Sequence, residues 1–450
     1  LKNWGNVFTY KFFRELDKYI LLAKYLTKNS IPINNKTIKS NLKILYALND
    51  SLPQATIGYA IRSHKIALAL KQAGLELICI TRVGFPWDLD RGFETVPEVE
   101  EVEGVRYHRL YKPGYHLHDT TISRYIANYT RMLIDFVTEH GITLLHGASD
   151  YNTGLASVSA ARALGVPSIY EVRGFWEITR ASRQWWFRYT LSYHVMKKLE
   201  IQACNEATSV IALSEIVKEE LIARGIDAKK IYVVPNGVDT KVMKPLEKNT
   251  ALLQKLQLDS KFIIGFVGSV VDYEGLSLLV DSAEKIENLH VNAFRYVIVG
   301  DGNDLEKLKK QVKKKSLEHL FVFVGRVPYE EVEQYYSIID VACYPRLDWE
   351  VCRIVSPKKP FEAMAYGIPV VSSSVRANSY FIEDGLNGLI HDVGNSNSLT
   401  EKLLALYSDE ALRKKLAEGG RAWVVKNRDS EQTGSLLKQI YQETQEKFYG

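Results

Sequence analysis

Two lysines and a glutamate crowd one short stretch of this 450-residue chain: Lys358, Lys359 and Glu362, within Ser356-Pro357-Lys358-Lys359-Pro360-Phe361-Glu362-Ala363-Met364-Ala365-Tyr366-Gly367. Pro360 suits the first position of a helix, where a missing N–H costs nothing. Gly367 stops that helix, and Pro369-Val370-Val371 opens a buried strand. A helix start that carries lysines attracts an anion through its backbone N–H groups and through charge. Glu362, in the first turn, can accept hydrogen bonds from two vicinal hydroxyls. An anion and a diol in one place point to a nucleotide diphosphate. Taken alone, the stretch reads more simply as a solvated helix start. The rest of the chain tips the balance.

The elements around it alternate. Leu42–Leu48 is expected as a first strand, Arg62–Ala73 as an amphipathic helix closed by Gly74, and Glu76–Thr81 as the next strand. Thr143–His146, Ser168–Val172, Ser209–Ser214 and Ile231–Val234 follow, most of them beyond a helix. Pro235-Asn236-Gly237-Val238-Asp239 is a turn cluster, and the pattern restarts after it. Strands are expected at Phe262–Val267, Tyr296–Val299, Leu320–Val324, Val341–Tyr344 and Val370–Ser372. Strands alternating with helices imply two α/β domains, each a doubly wound parallel sheet. Ligands of such sheets bind beyond the carboxyl ends of the strands. Those ends in the second half carry Gly268-Ser269, Gly300-Asp301-Gly302, Gly325-Arg326, Arg346 and the Lys359/Glu362 pair. Glycines and cations recurring on one edge favour a nucleotide site over surface decoration.

The expected organisation is a helical extension or linker over 1–41, a first domain over 42–238, a second over 239–429 and a tail helix over 430–450. Apolar content of 46%, charged content of 25% and a net charge of +5 are those of an ordinary globular protein that has no need of nucleic acid but tolerates an anionic ligand or membrane surface. Four scattered cysteines lack metal spacing and read as reduced core residues of a cytoplasmic protein. No apolar run approaches the roughly 20 residues of a membrane span, and no charged-then-apolar leader precedes the first domain. The chain begins with Leu1, which suggests a piece of a longer protein or a trimmed end.

With these residues in hand, the chain resembles glycosyltransferase family 4, retaining nucleotide-sugar enzymes of the GT-B fold, over about residues 42–430. The resemblance rests on Val234-Pro235-Asn236-Gly237-Val238-Asp239, Val299-Gly300-Asp301-Gly302, Gly325-Arg326-Val327, Pro360 through Val371 and Asp384-Gly385-Leu386-Asn387-Gly388-Leu389. It implies two Rossmann-like domains facing a central cleft that opens and closes about 235–239, with the tail helix crossing back to the first. It assigns the ribose hydroxyls to Glu362, the base to the backbone at Arg326 and Val327, the pyrophosphate turn to Gly268 and Ser269, and a loop closing over the donor to Gly58. Three positions depart from the family pattern. Ile354 stands where the first glutamate of a pair falls, Glu274 stands where a lysine usually follows the pyrophosphate turn, and Arg173 stands where many members place a histidine.

Moving a sugar off a nucleoside diphosphate needs the leaving group's growing negative charge to be met. Lys359 ranks first for this, with Arg346 and Arg353 as further cations. Arg173 is a candidate for steadying the phosphate or acceptor, its competing reading being an ion pair with Glu171 or Glu177. In this family retention is thought to follow front-face attack, with the leaving phosphate taking the acceptor's proton, so no carboxylate pair at glycosidase spacing is required. Neither metal nor other cofactor is expected, although Asp88 and Asp90 have the chemistry of metal ligands. The acceptor, an oligosaccharide or lipid-linked glycan of a capsule, exopolysaccharide or lipopolysaccharide, is assigned to His146, Trp176 and Arg180. For His146 a strand-end histidine satisfied by backbone is the stronger reading. The cluster Trp185-Trp186-Phe187-Arg188-Tyr189 either stacks on sugars, docks at a membrane interface or packs inward. The expected place of work is the cytoplasm, at the inner face of its membrane. Competing readings are a non-catalytic sugar-binding scaffold, for which Ile354 and Glu274 would be signs of lost activity, and a nucleotide-sugar epimerase on the same architecture. A dehydrogenase is disfavoured because no Gly-x-Gly-x-x-Gly follows the first strand.

Overall fold

The computed structural model describes residues 17, 18, 20, 21, 41–89, 95–111, 117, 120–289 and 293–450. The extension expected over 1–41 therefore lies almost wholly outside the described residues, as does Asp90. The chain forms two compact units, Leu1–Pro235 with Glu431–Gly450, and Asn236–Ser430.

The first unit is built on eight strands: β1 (Lys43–Leu48), β2 (Glu76–Thr81), β3 (Val99–Val102), β4 (Val105–His108), β5 (Leu144–Ala148), β6 (Ser168–Val172), β7 (Ser209–Ala212) and β8 (Ile231–Val233). Their order is β3-β4-β2-β1-β5-β6-β7-β8. The central strands β1, β5, β6 and β7 are buried along nearly their whole length, as expected where helices cover both faces. The β3–β4 hairpin breaks the expected pattern, for β3 runs antiparallel at the sheet edge. Its sequence, Val-Glu-Glu-Val, alternates exposed and half-buried residues and so lacks the apolar run that marks the central strands. The hairpin turns on Glu103-Gly104, both at positive φ, the tight primed geometry that matches strand twist.

The last helix, Ser430–Tyr449, packs on this sheet. Thr444 Oγ1 donates to Ser209 Oγ at 2.8 Å, and Tyr441 Oη lies 2.8 Å from His146 Nδ1. A methyl group on Gly434 would stand 2.4 Å from the Ala69 carbonyl oxygen, so glycine is what lets the helix approach.

The second unit holds six parallel strands: β9 (Phe262–Val267), β10 (Phe294–Val299), β11 (Phe321–Gly325), β12 (Val341–Tyr344), β13 (Val370–Ser373) and β14 (Leu389–His391). Their order is β11-β10-β9-β12-β13-β14. The direction of winding reverses between β9 and β12. At that reversal the connecting segments part to opposite faces and leave a crevice beyond the strand ends. β14 is three residues long, too short to stand out from the Asp384–Leu389 turn in the sequence. Among the described residues no helix is long and apolar enough to cross a membrane.

Candidate donor site of a glycosyltransferase

The crevice of the second unit opens on two glycine turns. Gly268 follows β9 with φ +142°, and Gly300 follows β10 with φ +133°. Both conformations are costly for a residue with a Cβ. The turns abut: a Cβ on Gly300 would lie 1.9 Å from the Gly268 carbonyl oxygen, and one on Gly302 would lie 2.0 Å from that of Val270. Backbone thus packs on backbone at the strand ends, where the Gly268 and Gly300 N–H groups donate to the Val299 and Gly325 carbonyls, each at 2.8 Å.

Lys359 crosses this turn. A Cβ on Gly268 would fall 2.3 Å from the Lys359 Cε. The ammonium lies 4.5 Å from the centre of the Phe266 ring and 3.1 Å from Glu274 Oε1. Burial pushes the lysine below its ordinary pKa, and Glu274 works against that shift. Tyr344, the last residue of β12, donates from its hydroxyl to the Lys359 carbonyl at 3.2 Å and so fixes the backbone there. Arg346 Nε also faces Glu274 Oε1, at 3.7 Å, while its Nη1 donates to the Val355 carbonyl at 2.9 Å. One buried carboxylate is therefore opposed by two cations. The second oxygen of Glu274 and the Nε of Arg346 are buried with no hydrogen-bond partner. Arg346, expected to reach the donor, is almost fully buried and engaged with Glu274 and Val355.

Glu362 stands in the first turn of the helix Lys359–Ala365, with Pro360 ahead of it. Its carboxylate takes Lys358 at 3.2 Å and accepts from the Tyr336 hydroxyl at 3.4 Å, and it remains partly exposed. The helix has only seven residues, so side-chain charge outweighs any helix dipole here. Arg326 and Val327 follow β11, the edge strand beyond β10, with Arg326 exposed and Val327 half-buried. Arg353 is exposed and forked onto Asp348 at 2.6 and 2.8 Å, which makes it a surface pair. Ile354 is packed in the interior, so the place of the missing carboxylate is apolar.

The first unit corrects two expectations. All five N–H groups of Arg173 are spent inside the unit: Nε and Nη2 on Glu171 Oε2 at 3.0 and 2.7 Å, Nη1 on the Tyr59 carbonyl and Ser63 Oγ at 3.0 and 2.7 Å, and Nη2 also on the Tyr46 hydroxyl. The arginine offers no donor to a phosphate in this arrangement, and the competing ion-pair reading with Glu171 is the one observed. Arg62 forks onto the other oxygen of Glu171 at 2.9 and 2.7 Å and donates to the Val234 and Pro235 carbonyls. Burial opposes a charged Glu171, but Arg173, Arg62 and His146 outweigh it and hold its carboxyl far below the usual range. His146 is fully buried between Tyr46 and Tyr441, with ring centres 4.6 and 5.7 Å away. Burial lowers its pKa to about 4, so it is neutral. It is a core histidine, bonded to Tyr441 through Nδ1 with its Nε2 buried and left without a hydrogen-bond partner, and it does not face solvent.

Sequence reasoning overlooked Arg62 and Tyr46 in this network. The signal was present: an arginine on a helix otherwise facing the core, opposite a glutamate inside an apolar strand, demands a buried partner. Gly58 begins the helix Gly58–Gln72 and is exposed, with nothing within 4 Å of a Cβ built on it. Trp176 and Arg180 lie exposed on the helix Trp176–Arg183, and Arg180 covers the Phe187 ring at 4.0 Å. Asp88 is paired with Arg82, and among the described residues no three metal-ligating side chains gather. Ser269, in the glycine turn, directs its carbonyl to Lys359 Nζ at 3.4 Å.

Two doubly wound sheets, the first with one antiparallel edge strand, and a cation-bearing glycine crevice beyond the strand ends of the second make an α/β protein, and the likeness to solved structures fixes the architecture as GT-B. A HepE structure from Anabaena, in complex with UDP, matches with a TM-score of 0.69 at 17% identity, over 89% of this chain and all of that one. Residues 58–242 match the model of Glycosyltransferase Family 4, and residues 248–423 match that of Glycosyl transferases group 1. The chain belongs to the family 4 glycosyltransferases and transfers a sugar from a nucleotide sugar. An uncharacterized glycosyltransferase of Methanocaldococcus jannaschii is 25% identical over 84% of this chain and 93% of its own length. The amylovoran biosynthesis glycosyltransferase AmsK of Erwinia amylovora is 30% identical over 50% of this chain and 53% of its own.

Proposed function

We propose that this chain is a retaining hexosyltransferase that moves a sugar from a nucleoside diphosphate sugar to an oligosaccharide or lipid-linked glycan at the inner face of the cytoplasmic membrane, in the assembly of a surface polysaccharide. The observation that carries the reading is Lys359 lying across the Gly268 turn with Glu362 one helical turn away. Lys359 meets the charge of the pyrophosphate, and Glu362 takes the ribose hydroxyls. The UDP held by the Anabaena structure and the polysaccharide named for the Erwinia relative support donor and acceptor classes respectively.

In the proposed reaction the bond between the anomeric carbon and the β-phosphate oxygen breaks as the acceptor oxygen bonds to the same face of that carbon. The acceptor's hydroxyl proton passes to the departing phosphate oxygen. Lys359 and the main chain at Gly268-Ser269 stabilise the negative charge that develops there. Arg173 acts from the interior, by holding Glu171, Tyr46 and the start of the Gly58–Gln72 helix in place. We propose that no metal is needed, because Lys359 supplies the neutralising charge. Transfer then keeps its rate in excess EDTA.

A thermal-shift screen with UDP, GDP, ADP and CMP, followed by donor hydrolysis with the matching nucleotide sugars, tests the reading. One nucleotide should raise the melting temperature by mass action, and its sugar should be slowly released. If no nucleotide binds, the apolar position at Ile354 and the acid at Glu274 mark a scaffold instead.

A further inference from the structure

The segment from Trp176 to Lys198 shows its aromatic residues to solvent. Trp185 is 76% exposed, Trp186 51%, Tyr189 77% and Leu191 64%. This is a built platform. Phe187, between them in sequence, turns inward and is 2% exposed, packing with Ala181 and Tyr193. The 3-10 turn Trp185–Tyr189 is pinned at both ends, by Gln184 N on the Arg180 carbonyl at 2.9 Å and by Thr190 N on the Phe187 carbonyl at 3.0 Å. Thr190 then caps the helix Leu191–Glu206 through its side chain.

Charge on the segment is one-sided. Arg180, Arg183, Arg188 and Lys198 are exposed and Lys197 is half-buried. The one carboxylate between 176 and 198, Glu177, is buried and paired with Arg224 at 2.7 Å. Gln184 is the one exposed amide there. A glycan needs carboxylates and amides to receive its hydroxyls, and the exposed residues of this segment supply almost none. Tryptophan and tyrosine flanked by arginine suit the boundary of a bilayer, where rings enter the headgroup region and cations meet anionic lipid.

We infer that Trp185, Trp186 and Tyr189, with Arg183 and Arg188, form a docking surface for an anionic lipid bilayer. This deepens the proposed reading of a glycan acceptor met at a membrane, and rests on it. The test uses the full chain without donor or acceptor, so it fails separately from transfer. Vesicles of phosphatidylcholine, alone or with one part in three of phosphatidylglycerol, are sedimented with the protein at low and high salt.

The protein should partition onto the anionic vesicles, more weakly at high salt and more weakly still onto the neutral ones. W185S/W186S should weaken partition by about tenfold or more, since binding scales with the apolar area inserted. R183Q/R188Q should weaken it roughly 30-fold at low salt and flatten the salt dependence, each cation near such a surface being worth about a factor of five. Both variants change exposed side chains, and a melting temperature equal to the wild type's, measured without ligand, confirms that they fold. Absence of the protein from both vesicle pellets overturns the inference. So does wild-type partition by W185S/W186S, which would place the contact elsewhere. Equal binding to neutral and anionic vesicles overturns the role given to the arginines. Saturable binding of a soluble oligosaccharide that is lost in W185S/W186S, with no vesicle binding, would make the platform a sugar site.

Discussion

Lys359 and Glu274 meet at 3.1 Å beside the Gly268 turn, so the cation nearest the expected pyrophosphate is held by an acid at a position where the family resemblance led to the expectation of a lysine. The positive charge sits on the first residue of the Glu362 helix, and Glu274 holds it there. Lys359→Ala should therefore weaken nucleoside diphosphate binding about 10- to 100-fold, the worth of a hydrogen bond to a charged group. Binding of the bare nucleoside should not change. Calorimetry with both ligands checks this, and equal losses for both would show that the lysine only supports the fold.

Glu274→Gln separates holding from binding. Lys359 and Arg346 would then face each other without a counter-ion in a largely buried place, and the unliganded protein should lose on the order of 3 kcal/mol. A bound pyrophosphate would supply the missing charge, so the nucleotide-induced rise in melting temperature should be wider than in the wild type. A narrower rise would mean that Lys359 cannot find its place without Glu274.

Glu362→Gln should weaken ribonucleotide binding by roughly tenfold or more, as a charge-assisted hydrogen bond is lost, and leave affinity for inorganic pyrophosphate intact. The wild type should discriminate against the 2′-deoxynucleotide and the variant should not. That loss of discrimination is a coupling between one carboxylate and one hydroxyl, which general destabilisation cannot imitate.

Glu200 gives a pH signature unrelated to the donor. It is buried, accepts from the Tyr170 hydroxyl at 2.7 Å, and burial pushes its carboxyl up to about 8. The folded chain keeps a proton that the unfolded chain releases near the ordinary glutamate value. Stability from this group is thus full in acid below that value and is lost as pH rises through about 8. The melting temperature of Glu200→Gln should exceed the wild type's increasingly from pH 5 to 9, and parallel curves would exclude the linkage.

Most strands of both sheets were legible because each is an apolar run closed by glycine, proline or a polar pair, as in Phe262–Val267 before Gly268 and Val341–Tyr344 before Pro345. A buried parallel strand has little freedom of composition, and its alternation with helices leaves one class of architecture. The hairpin Val99–Val102 and Val105–His108 and the three-residue strand Leu389–His391 escaped notice, because a strand at a sheet edge buries only part of its length and a very short one carries no such run. Glu362 and Lys359 were legible for another reason: they are close in sequence, and a helix start fixes neighbours by local geometry.

Which cation lies across the Gly268 turn was decided only by tertiary structure. Arg346, Arg353, Arg173 and Lys359 carry the same charge in the sequence. The fold gives Arg353 to Asp348 on the surface, buries Arg173 in a network that uses every N–H it has, and sets both Arg346 and Lys359 near one oxygen of Glu274. Lys359 and Glu274 are 85 residues apart, and no local rule pairs them. His146 shows the same limit, since its partner Tyr441 lies on the tail helix and arrives only when that helix packs on the first sheet. Composition and spacing determine where a chain makes strands, turns and charge; the partner each buried charge finds depends on the packing of distant segments, because burial makes the nearest available counter-group decisive.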